Sequence, residues 1–147
     1  MKGLNLPNNF LQHQLLYWLK QVYHKQCHLP AYCSLKNLKA EIGGSGDINI
    51  GASTATELTA HILGSGSFSI KGTGDKAQFE VTGSGDINAA EFITKAAEAH
   101  TTGSGNIKCH ATASLDANVT GSGDIDCKGN PPSVQSKVTG SGEVKTK

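Results

Sequence analysis

Arginine is absent from this chain of 147 residues, and aromatic residues make up only 5% of it. Lysine carries all the side-chain positive charge, and twelve acids leave the formal net charge at +1. The balance is uneven. Residues 1–40 hold no Asp or Glu and five Lys, whereas the remainder is acidic. A near-neutral chain with an acidic major part, and no Arg for bidentate phosphate contacts, argues against nucleic acid as a partner. No run approaches the roughly 18 apolar residues of a spanning helix. Leu15–Leu19 is apolar, but Gln12, His13, Gln14 and Lys20 bracket it too closely for a signal-peptide core. As it stands, the chain has no readable export signal. Its four cysteines, Cys27, Cys33, Cys109 and Cys127, fit either redox compartment.

Glycine is plentiful and confined. Seventeen of the 18 glycines follow residue 42, and twelve of them form one motif. The tripeptide Gly-Ser-Gly occurs six times, with its glycines at Gly44 and Gly46, Gly64 and Gly66, Gly83 and Gly85, Gly103 and Gly105, Gly121 and Gly123, and Gly140 and Gly142. A phosphate-binding loop or a catalytic elbow is needed once. Six copies at steps of 18–20 residues are the sequence sign of a solenoid, one copy per turn.

Alignment on the motif sorts the neighbouring positions into columns. Ile48, Phe68, Ile87, Ile107, Ile125 and Val144 form an apolar column two residues after the second glycine. The next position holds Asn49, Ser69, Asn88, Lys108, Asp126 and Lys145, all polar. Before the motif, Ile42, Ile62, Val81, Thr101, Val119 and Val138 alternate with polar residues. Such period-2 alternation marks half-buried strands. Each repeat therefore reads as two strands meeting at Gly-Ser-Gly, with a looser third segment of about eight residues, such as Gly51–Glu57, leading onward. The same inside–outside sense recurs every repeat, which fits parallel stacking of whole coils rather than a meander. The first glycine turns the corner with positive φ, the second lets coils approach closely, and the serine hydroxyl can satisfy corner backbone groups.

The expected fold is all-β: a right-handed parallel β-helix of about five to six short coils, the hand following the rule for parallel crossovers. A β-prism or a barrel of the same strands is the alternative. An N-terminal α-helix is expected over residues 8–28, capped at Asn8 or Asn9 and stopped by Pro30, with Leu11, Leu15, Trp18 and Val22 on one stripe. The division is 1–33 as this amphipathic segment and 34–147 as the repeat domain. Three roles for the segment stay open: a cap over the first coil, a membrane-surface contact through residues 8–28, or an extension foreign to the repeats.

The repeats "IGGSGDIN", "VTGSGDIN", "VTGSGDID" and "VTGSGEVK" closely resemble the head GIN domain family of putative autotransporter adhesins. The resemblance runs over about 34–147. It implies a β-helical, exported protein of the bacterial cell envelope and carries no active site. The usual signal or lipoprotein segment and earlier strands of that family are not recognisable here.

Candidate chemistry is sparse. The column Asp47, Ser67, Asp86, Asn106, Asp124 and Glu143 suggests calcium, but its spacing is that of a whole coil and neutral residues interrupt it. His61, Glu80 and His100 fall in one outward column on successive coils and are the candidate zinc ligands. His24, Cys27, His28 and Cys33 match no common zinc spacing. Cys109 and Cys127 share an inner column and read as stacked thiols rather than a disulfide. The sequence implies no cofactor. It reads as a non-enzymatic envelope or surface module for adhesion, binding or scaffolding, with an unknown protein or glycan on its outer face. A polysaccharide-active β-helix enzyme is the alternative.

Overall fold

The computed structural model describes the backbone over residues 16–22, 26–29 and 33–147, and side chains from residue 36 onward. Ten strands follow one another: β1 (Leu16–Val22), β2 (Gln26–Leu29), β3 (Cys33–Gly44), β4 (Asp47–Gly64), β5 (Ser67–Gly83), β6 (Asp86–Gly103), β7 (Ile107–Gly121), β8 (Ile125–Lys128), β9 (Ser133–Gly140) and β10 (Val144–Thr146). They pair in the order β1-β3-β4-β5-β6-β7-β8-β10, with β2 on β4 and β9 on β7. Every pairing is parallel. The path is open and advances one repeat at a time, as in a solenoid of about six turns. A barrel would have to close on itself.

Each strand from β4 to β7 is nearly a full coil. In β4, burial alternates at Ile48 and Ile50, again at Ser53 and Ala55, and again at Leu58, Ala60 and Ile62. The alternation changes phase between these runs, so each coil presents three inward faces. The segment expected to be a loose connector is therefore the third face. It is paired in register, Thr54 with Thr73 and Ala55 with Gly74. Its inward residues, Ser53, Phe92, Thr94 and Ala111, lack the clean apolar repeat of the other columns, which hid it from pattern reading. The alternation of size is the packing rule. Gly72 and Gly74 leave the room that Phe92 fills, and a Cβ on Gly74 would lie 2.9 Å from the Phe92 ring. Phe79 likewise sits between Ala60 and Ala99 in its column. Close packing at crystal-like density requires such matching of large to small.

The Gly-Ser-Gly corners interrupt the strands at the serine. The first glycine of every copy has a positive φ, for example 122° at Gly103. The second is held by contact: a Cβ on Gly85 would lie 2.6 Å from the Gly66 carbonyl oxygen and 2.6 Å from Ile62 Cγ2. The serine acts through its backbone. Ser104 N–H donates to Gly83 O at 2.9 Å, and Ser84 and Ser122 repeat the bond one coil away. Its side chain is exposed at every corner.

The N-terminal α-helix is not found. The described parts of that segment are strands: β1 runs parallel to β3, with Leu16 opposite Asn37 and Val22 opposite Gly43, and β2 runs parallel to β4. No helix occurs among the described residues. The physical reason is the open ladder of β3 and β4. A strand laid along it satisfies a row of backbone groups that a helix leaves unpaired. This tertiary gain overrides a helical apolar stripe, which is a weak prior. Asn8, Asn9 and Pro30, expected to bound the helix, lie outside the described residues, as does most of the segment considered for membrane contact. Among the described residues no helix is long and apolar enough to cross a membrane.

Candidate functional site

Inner columns build the solenoid, so any site lies on the outward ones. The two columns just after the corners are the most organised. In the first, side chains reach one coil onward to hold backbone N–H groups. Asp47 Oδ1 accepts from Ser67 N–H at 3.1 Å, Asp86 Oδ1 from Asn106 N–H at 3.1 Å, and Asp124 Oδ1 from Glu143 N–H at 2.9 Å. Asn106 relays between two aspartates: its amide donates to Asp86 Oδ1 at 3.1 Å and its Oδ1 accepts from Asp124 N–H at 3.2 Å. The column considered for calcium thus has an architectural task. A neutral Asn between two carboxylates also removes one like-charge contact.

The second column reads Asn88, Lys108, Asp126 and Lys145 down β6, β7, β8 and β10, in register. Short and long side chains alternate. Together with Asp86, Asn106 and Asp124 they line a groove of about 430 Å³, with Ile87, Ile107 and Ile125 also contributing. Lys145 Nζ lies 2.9 Å from Glu143 Oε2, and this contact raises the lysine's pKa, first through the hydrogen bond and then through charge. Among the described residues Asp126 Oδ1, which is buried, has no hydrogen-bond partner. Reading single columns for metal ligands did not reveal this groove. The signal was the alternation of short and long polar residues across neighbouring repeats.

The structure places His61, Glu80 and His100 on consecutive coils as Cα partners. His61 Nε2 is 3.5 Å from Glu80 Oε2, and both side chains are about half exposed. Among the described residues no three metal-ligating side chains converge. Stability is expected to be indifferent to metal, since a bound ion stabilises by mass action. Melting curves with excess chelator, calcium or zinc should overlay, and a fall of many degrees with chelator would return either column to metal binding. Of the sulfur-and-histidine cluster, His24 lies outside the described residues, while Cys27 and His28 fall in β2 and Cys33 begins β3.

On the same face as the His column, Gln78 Nε2 donates to Glu98 Oε2 at 2.7 Å and Lys76 Nζ stands 3.0 Å from Oε1. These two contacts, Gln78 first, hold the Glu98 carboxyl below its usual range. Its share of stability is complete above the ordinary carboxylate range and is lost as pH falls through the lowered value. Gln78→Leu should move the Glu98 titration upward in carbonyl-detected NMR, and an unmoved midpoint would disprove the assignment.

Cys109 and Cys127 are buried, face each other across β7 and β8, and stand as free thiols. Contact with Cys127, and then burial, pushes the Cys109 thiol up. Cys127 Sγ donates to Lys128 O at 3.3 Å. Thiolate, not thiol, is the nucleophile. The shared contact lowers Cys127 as it raises Cys109, so burial is what protects both: alkylating reagent should label both positions far more slowly in native than in unfolded protein, as read by peptide mass spectrometry. Equal rates would contradict their burial.

These features define a class: a parallel β-solenoid with glycine corners, an apolar interior of small residues and an ordered polar exterior. The chain belongs to the family described as "Putative auto-transporter adhesin, head GIN domain", whose profile matches residues 29–131. Solved structures agree. A putative adhesin from Bacteroides fragilis is 31% identical with a TM-score of 0.74, over 83% of this chain and 56% of that one. A putative lipid binding protein from Parabacteroides distasonis is 32% identical with a TM-score of 0.84, over 87% and 52%. A putative adhesin from Parabacteroides merdae is 26% identical with a TM-score of 0.84, over 88% and 54%. The chain thus spans about half the length of these solved relatives. No curated protein matches it.

Proposed function

We propose that this chain is a non-enzymatic binding module of the cell envelope or cell surface, serving adhesion or scaffolding. The observation that carries this reading is the groove over β6, β7, β8 and β10. There a rigid stack of coils holds Asp86, Asn88, Lys108, Asp124, Asp126 and Lys145 at fixed spacing on solvent-facing columns. The backbone that carries these side chains is fixed by the stacked coils, and Asp86 and Asp124 are tied to it directly, so part of the ordering that binding requires is already made. Family membership supports an envelope location, and the family and its solved neighbours are described as adhesins or lipid-binding proteins rather than enzymes. An acyl-binding role has less support on this surface. Among the described residues, the exposed large apolar side chains of the inner coils are Leu63 and Ile93, and they stand on different faces. Val134 and Val138, 43% and 42% exposed, belong to the inward column of β9, where no described strand lies beyond.

The test is direct. Fluorescently labelled protein should bind purified bacterial envelopes or mucin-coated surfaces saturably, and Lys108→Ala with Asp126→Ala should reduce that binding at least tenfold. Polysaccharide incubated with the protein should yield no new reducing ends. Hydrolysis, or purely linear uptake at every surface, would overturn the reading.

A further inference from the structure

We propose that the groove over β6, β7, β8 and β10 binds an uncharged polyhydroxyl chain, a neutral glycan, lying across the coils. This rests on the binding-module reading and names the ligand class of the same site.

Charge is the first argument. Two lysines, Lys108 and Lys145, face three carboxylates, Asp86, Asp124 and Asp126, within one groove. A polyanion would meet the carboxylates and a polycation the lysines. A hydroxyl, which both donates and accepts, can answer either sign. The free valences point the same way. Asp86 and Asp124 each commit Oδ1 to the scaffold, and Oδ2 remains for a donor. Among the described residues, Lys108 has no ion pair and Asp126 Oδ1 lacks a partner in its present position. A carboxylate oxygen left unpaired and out of water is costly, so Asp126 gains by turning toward a hydroxyl in the groove.

Spacing is the second argument. Columns repeat at about 4.8 Å along the stack. This is comparable to the length of a sugar ring in a chain, so successive sugars can meet successive coils. An extended peptide is the weaker match. Peptides bind sheets chiefly by adding a strand to an open edge. Here β6, β7 and β8 are paired on both sides among the described strands, and the open edge beside the groove, that of β10, is only three residues long.

The experiment is an amide NMR titration of the full chain with cellohexaose, laminarihexaose and mannohexaose. Oligogalacturonate, a chitosan oligomer and an unstructured hexapeptide serve as anionic, cationic and peptide probes. At least one neutral hexasaccharide should give saturable shifts at Asn88, Lys108, Asp126 and Lys145. Lys108→Ala with Asp126→Ala should weaken it at least tenfold while leaving distant amides unmoved, and Lys108→Gln with Asp126→Asn, which keeps side-chain bulk, should weaken it less. No saturable neutral binding, or saturation on another face, overturns the proposal. Saturation only by a charged probe or the peptide also overturns it but leaves the binding-module reading standing. Release of reducing ends defeats that reading itself.

Discussion

Gly103→Ala is expected to lower stability by on the order of 3 kcal/mol, whereas Gly43→Ala should change it by less than about 1 kcal/mol. Gly103 is the first glycine of its corner, whereas Gly43 stands one position before a corner, in the column of Leu63, Thr82 and Thr102. Gly103 has φ of 122°, a conformation that L residues rarely adopt, and a Cβ there would overlap the Gly83 carbonyl oxygen one coil back. That oxygen cannot retreat, because it accepts the Ser104 N–H bond at 2.9 Å. Strain and overlap therefore add. Gly43 has nothing within 4 Å of its Cβ position, so an alanine there meets open space. Gly105→Ala separates the two contributions: its φ is not positive, yet its Cβ would strike the Gly85 carbonyl and lie 2.5 Å from Val81 Cγ1. Urea midpoints of the three variants measure the order, which should be Gly103 and Gly105 well below Gly43. Equal midpoints would mean that the corners do not depend on missing side chains.

Ile87→Asp should cost about 4 kcal/mol or prevent folding, while Asn88→Asp, one residue on, should stay within about 0.5 kcal/mol. Ile87 is 1% exposed, with Phe68 and Ile107 as its partners above and below. A carboxylate there would be desolvated among apolar side chains with no cation to pair with, and the lost isoleucine removes well-packed contacts as well. Asn88 is exposed, and its Cα partner is Lys108, so an added negative charge has a cation nearby. The contrast is read from chemical denaturation of both variants. Similar midpoint shifts would mean that the inward and outward columns are misassigned, and with them the groove.

The repeats made most of the solenoid legible. Ile48 through Val144 alternate with Asn49 through Lys145 because each coil sees the same core and the same solvent, so a column is written down the chain every 18–20 residues. The corner glycines were legible for the same reason. The third face was harder. Ser53, Gly72, Phe92 and Thr94 share it without sharing a residue type, because a large ring in one coil is accommodated by glycines in the next. The aspartates of the first outward column invited a metal reading, and the structure instead shows them bonded to backbone N–H groups a whole coil away.

By itself the sequence indicated parallel stacking of coils, where the chain turns at the glycine corners, and which side chains enter the core on two of the three faces. These are properties of one repeat meeting an identical neighbour, and a periodic pattern encodes them locally. Only the tertiary structure decided that residues Leu16–Val22 and Gln26–Leu29 are strands, because their conformation is set by the open ladder of β3 and β4 rather than by their own helical stripe. Only the tertiary structure assembled the groove. Asn88, Lys108, Asp126 and Lys145 are each unremarkable in sequence, and they become a surface of alternating relief and charge once the coils bring them into register.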